Sequence, residues 1–271
     1  MLVKESNPSD FKTPPGSTED FLASFQSVAI QNEIATIDQA SVWHELMSAI
    51  AADLSRCCDY ASGHIVKVED PSALLLFLTA NSHFLASARL AASGQCLSAF
   101  STSRATMESA LYGWYLAVTP DAAKRWHDKP TEPTERRKWG REFQFSSINS
   151  VFSETFEGPA KWAKHLHQTS IDFGAHPNKQ ALYSNLANSD CADGSSVLRW
   201  NVLHPWGTLA VMTAKFVIET GIFAVGVFGR TFPDADKAHG FVNAATGHAH
   251  TLKARVAETT LFDEDGSGVE Q

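Results

Sequence analysis

Apolar residues recur along most of this chain at intervals of three and four, the spacing that stacks side chains on one face of an α-helix. The clearest run is Leu97 to Val118, LSAFSTSRATMESALYGWYLAV, in which Leu97, Arg104, Leu111 and Val118 fall on one line. Phe100, Met107, Glu108, Trp114 and Tyr115 lie beside that line. Ahead of it, Ser17 or Thr18 caps a short helix over Glu19 to Ile30. From Glu33, the positions Ile34, Ile37, Trp43, Leu46, Met47, Ile50, Leu54 and Cys57 follow one face of a long amphipathic helix that ends at Gly63. Asp70 and Pro71 form a start signal, an N-cap side chain before a proline whose missing N–H costs nothing in the first turn. That helix runs through Leu74, Leu78 and Leu85 to a break at Ser93 and Gly94. So short a connection makes it an antiparallel neighbour of the Leu97 helix.

Past Pro120 the pattern predicts a short helix to His127, a loop from Lys129 to Pro133 and a helix over Glu135 to Phe152. Gly158 and Pro159 open another, which stops in GAHPN at 174 to 178. Between Ala181 and Leu203 the period changes. YSNLAN and SSVLRWNVL alternate around the turn-rich SDCADG, so a β-hairpin is expected there. Trp206 to Gly229 is then a very apolar helix, and Pro233 starts a last one through Phe241, Ala245, His248, Leu252 and Val256. No internal repeat or long linker divides the chain. The expected fold is an all-α, up-and-down helical bundle with a small β-hairpin insertion near 181–203. Residues 18–261 form its single domain, 1–17 a flexible arm and 262–271 a disordered acidic tail.

Composition narrows the function classes. The chain has 271 residues, 44% of them hydrophobic and 19% charged, which is ordinary for a globular protein. A net charge of -8 argues against a general electrostatic grip on nucleic acid or anionic lipid. Seven lysines and arginines between Lys124 and Arg141 are interleaved with carboxylates, so they read as a solvated face, with a phosphate-binding patch as the alternative. Cys57, Cys58, Cys96 and Cys191 show no CxxC spacing and signal neither zinc nor a disulfide framework. The opening MLVKESNPSDFKTPPG has no apolar run, so a secretory signal is not expected and the cytoplasm is. Trp206 to Gly229 is long enough to cross a bilayer. Its Lys215 and Glu219, one turn apart, favour a buried central helix instead. The strongly apolar helices are compatible with a homodimer.

Candidate chemistry begins with Arg104. A core-facing arginine without a partner costs several kcal/mol, and Glu108 stands one turn on at pairing distance. Asp172 and His176, in IDFGAHPN, have the same spacing if their helix persists, which would orient the imidazole as a base, a metal ligand or a structural helix-end contact. Arg104, Glu108, Asp172 and His176 would form one polar core site if the two helices pack together. It would serve either as an interhelical network or as an anion-holding site. His165 and His167 are two apart and so occupy different helix faces, as are His248 and His250; His248 lies on an apolar stripe and reads as a satisfied core histidine. HExxH, paired ExxH, P-loop, GxSxG and dinucleotide fingerprints are missing, and neither a metal site nor a cofactor is expected.

The order of a long apolar helix, SRATMESALYGWYLA, KRWHD, TSIDFGAHPN and two closing helices resembles a group of uncharacterised helical bacterial proteins. In that group an Arg-x-x-x-Glu helix precedes a helix end of the form Ser-x-x-x-x-x-His, here Ser170 and His176. The group is itself similar to the HEPN (higher eukaryotes and prokaryotes nucleotide-binding) superfamily of defence and toxin systems. The likeness covers about residues 70 to 178. It implies a helical bundle and a binding or interaction module built around the polar site. HEPN ribonucleases carry Arg and His four to six residues apart on a helix. Here the pair of that spacing is Arg199 and His204, which falls in the hairpin region and runs into Pro205. A metal-independent ribonuclease using Arg199 and His204 is therefore the alternative function, and a metal-dependent enzyme at Asp172 and His176 a third.

Overall fold

The computed structural model describes residues 20–175, 179–190 and 195–258. The arm at 1–17, the tail at 262–271, His176 and Cys191 lie outside the described residues. The fold is an all-α bundle with one small antiparallel hairpin.

Asp20 starts α1 (Phe21–Gln39), its carboxylate accepting from the backbone N–H groups of Leu22 and Ala23 at 2.9 and 3.2 Å. The chain breaks at Ala40 and resumes as α2 (Ser41–His64). The break expected near Ile30 thus falls ten residues later. The Asp70 cap is present: its Oδ1 accepts from Ser72 N–H at 2.8 Å as α3 (Ser72–Ala92) begins. Gly94, at φ +82°, turns the chain into α4 (Cys96–Val118), which packs back along α3. Next come α5 (Ala122–His127), α6 (Pro133–Glu142) and α7 (Phe145–Thr155). The single helix expected over Glu135–Phe152 is divided at Phe143 and Gln144. α8 (Glu157–Ser170) runs into one π-helical turn, Ile171–Ala175, and then α9 (Lys179–Tyr183).

The hairpin pairs β1 (Leu186–Asp190) with β2 (Ser196–Trp200), Leu186 opposite Trp200 and Asp190 opposite Ser196. Every residue of β2 is exposed, so the alternation seen in the sequence marks pairing rather than a buried face. The last helices are α10 (Thr208–Thr231), α11 (Pro233–His239) and α12 (Phe241–Glu258). Gly240, at φ +68°, separates the last two where one helix was expected.

α10 is the axis of the bundle, in contact with α2, α3, α4 and α12. From Gly221 to Gly229 it is buried without interruption. Phe228 is closed in by Phe77 and Phe241, with ring centres 5.0 and 5.2 Å away; burying such a side chain fully contributes about 1.5–3 kcal/mol. Both α3 and α10 are long and apolar enough to cross a membrane, but 78% of the most apolar stretch of α10 is buried inside the protein. Lys215 and Glu219 pair at 2.7 Å where α10 reaches the surface. On the far side of α4 lies a second layer, α7 and α8, where Trp114 meets Phe152 edge-on at 4.7 Å.

Candidate functional site

α4 carries a row of polar side chains one turn apart, Arg104, Glu108 and Tyr112, along the seam where it meets α7 and α8. Arg104 Nε donates to Glu108 Oε1 at 2.7 Å, and both side chains are half-buried, 23% and 29% exposed. Across the seam, α8 brings His167 Nε2 to 3.4 Å from the same carboxylate oxygen. The imidazole is held flat on the Phe145 ring of α7, with centres 3.9 Å apart and planes 7° from parallel. Tyr112 closes the row by donating its hydroxyl to the Phe143 carbonyl between α6 and α7. Phe145, at the first turn of α7, thus aims the ring, and the heptad position of Glu108 on α4 aims the acid.

The electrostatics follow from that packing. Burial pushes the Glu108 carboxyl up, but His167 and Arg104 outweigh it and hold it below its usual range. Burial and the neighbouring Glu108 charge push the Tyr112 hydroxyl up to about 12. Glu108 is therefore an anion and Tyr112 a neutral donor at ordinary pH. Arg104 and His167 converge on Oε1 alone. His167 Nε2 is buried, and the approach to Glu108 lacks hydrogen-bond geometry, so the nitrogen has no hydrogen-bond partner among the described residues.

Of the pair Asp172 and His176, only Asp172 is among the described residues. In the π-turn it accepts from Gln168 Nε2 at 2.9 Å on an exposed surface, and a described imidazole that reaches Glu108 is that of His167. The π-turn does pack on α4: Ser101 Oγ donates to the Gly174 carbonyl at 2.8 Å. Gly174 is required there, because a Cβ would sit 2.6 Å from both the Leu97 carbonyl oxygen and Phe100 Cβ. His176 lies outside the described residues. His165 and His167 occupy different faces as their spacing requires, and His167 is the half-buried one. Sequence reasoning set this pair aside as a pair; the useful signal was a single inward histidine on the helix before the π-turn.

Arg199 and His204 are separated by their elements. Arg199 is exposed on β2, opposite Ala187. His204 is buried at the foot of the hairpin, its backbone N–H on the Gly94 carbonyl and its ring bonded to Asn185 Oδ1, each at 2.8 Å. Burial lowers its pKa, so the ring is held neutral. These contacts fasten the hairpin to the α3–α4 turn.

Two other ionic clusters tie elements together. Asp53 on α2, 5% exposed, pairs with His248 of α12 at 2.7 Å and with Arg56 one turn along. His248 is thus the satisfied core histidine its apolar stripe suggested. Within the basic stretch, Arg125 is held by Glu142 at 2.6 Å, and Tyr115 joins the same carboxylate at 3.1 Å. Among the described residues no group of three or more His, Cys, Asp or Glu side chains is placed to hold a metal ion. Comparison with protein-family models, with curated proteins and with solved structures gives no match.

Proposed function

We propose that the protein is a binding module of the HEPN-like type, acting in the cytoplasm, that holds an anionic group at the corner formed by Arg104, Glu108 and His167. What supports this reading is the buried His167 Nε2, which lies 3.4 Å from Glu108 Oε1 without a hydrogen bond, beside the half-buried Arg104 guanidinium. A buried polar nitrogen without a partner costs about 1–3 kcal/mol, and such groups collect where a ligand completes the bonding. Two basic side chains share one carboxylate oxygen, so an added anionic oxygen relieves both. A purely structural network would close on itself.

The test uses inorganic phosphate as the probe, followed by NMR at the Arg104 Nε–H and the His167 ring. Both signals should move together and saturate in the native protein. In the double variant Arg104→Met, Glu108→Leu the His167 ring signal should no longer respond, while Tm stays within a few degrees because a half-buried pair replaced by apolar residues of similar size is close to neutral. Collapse of the fold in that variant would assign the pair to structure alone. Incubation with mixed RNA checks the other reading: cleavage that disappears in His204→Ala would make the protein a ribonuclease instead.

A further inference from the structure

A second recess lies away from the Arg104 corner, where the first turn of α8 faces α10 and α12. It has a volume of about 360 Å³, within the size range of small-molecule sites, about 300–1,000 Å³. Trp162, Ile222, Phe223, Val227 and Ala245 give it an apolar floor. Its polar lining includes two cations, Arg230 from α10 and Lys253 from α12, together with Thr246 and His250 of α12.

The Arg230 guanidinium packs against a glycine. It folds back along α10 and donates Nη1 to the Gly226 carbonyl at 2.8 Å; a Cβ at 226 would come within 3.0 Å of that nitrogen. Phe156 lies under the guanidinium at 5.6 Å. Of the neighbouring carboxylates, Asp236 acts on Arg230 through space without forming an ion pair. Asp236 accepts from the Val242 backbone N–H at 2.7 Å, and Glu157 pairs with Lys161 at 2.7 Å. Among the described residues, no carboxylate forms an ion pair with Arg230, His250 or Lys253. In a chain with 30 acidic and 22 basic side chains, an apolar recess lined by Arg230 and Lys253, neither of them in an ion pair among the described residues, is a departure from the average surface. Charge complementarity fixes the occupant: an apolar body against Trp162 and Phe223, and an anionic head at Arg230 and Lys253.

We propose that this recess binds an amphipathic monoanion, an alkyl or arylalkyl chain ending in a carboxylate. The alkyl chain displaces water from the floor, and the head supplies a carboxylate to pair with Arg230 and Lys253. This site is independent of the Arg104 corner and stands or falls separately from it.

Decanoate, decanol and decyltrimethylammonium, titrated calorimetrically below their micellar concentrations into the whole protein, test it. Decanoate should bind one to one, at least tenfold more tightly than decanol, and the cation should not bind measurably. Lys253→Glu should weaken decanoate at least tenfold. Ala249→Phe, which narrows the recess from an exposed helix position, should weaken decanoate and decanol together. Both substitutions are on the exposed face of α12, and unchanged Tm values would show the fold intact. Equal affinity for all three ligands would reduce the recess to a greasy surface. Decanoate binding unaffected by both substitutions would place the ligand elsewhere. No binding of decanoate at millimolar concentration would overturn the proposal outright.

Discussion

Asp53 shows how a single buried charge shapes the stability of the protein. Burial pushes its carboxyl up, while His248 and Arg56 outweigh that effect and hold it below its usual value of 3.8. Glu108 is likewise held below 4.5. A carboxyl whose folded pKa is depressed contributes stability at pH values above its unfolded pKa, and that contribution is lost as pH falls through the folded value. Urea denaturation should therefore give a constant contribution from both groups down to about pH 4.5, and a decline below it. Asp53→Asn should cost about 1–3 kcal/mol at neutral pH, because it removes the buried carboxylate oxygen that bonds to His248 Nε2. The double variant Asp53→Leu, His248→Leu should recover most of that loss. If Asp53→Asn is as stable as the native protein, the α2–α12 pair contributes nothing.

At the scale of elements, the close approach of α10 to its neighbours rests on missing side chains. A Cβ at Gly221 would overlap the Phe84 ring and lie 2.7 Å from Ile50 Cγ2, whereas one at Gly247 on α12 would meet nothing within 4 Å. Gly221→Ala should then cost about 1–3 kcal/mol through overpacking, and Gly247→Ala should add about 0.5–1 kcal/mol through helix propensity. Thermal denaturation reads both, and equal shifts of the same sign would contradict this packing. The long helices were legible in the sequence because most of them bury one stripe, and the Asp70–Pro71 start and the Ser93–Gly94 stop are local signals. The break at Ala40 and the one at Phe143–Gln144 were not legible, since neither has a glycine or proline to mark it. The Arg104–Glu108 pair could be read because its partners share a helix. His167 could not, because its meeting with Glu108 depends on the way α8 crosses α4, and no spacing along the chain encodes that crossing.

Across the whole molecule, α4 is the element that joins two layers. One side of it packs on α3 and α10, and the other receives α7 and α8 with the polar row Arg104, Glu108 and Tyr112 in the seam. The corner at Glu108 is where charge crosses that seam, so the account depends on Glu108 and His167 sensing each other through tertiary structure. A double-mutant cycle of Glu108→Gln and His167→Phe, measured by urea denaturation at neutral pH, tests that dependence most directly. The account predicts a coupling of about 1 kcal/mol. It also predicts that the coupling fades once acid protonates Glu108. Losses that add within about 0.3 kcal/mol at neutral pH would contradict it.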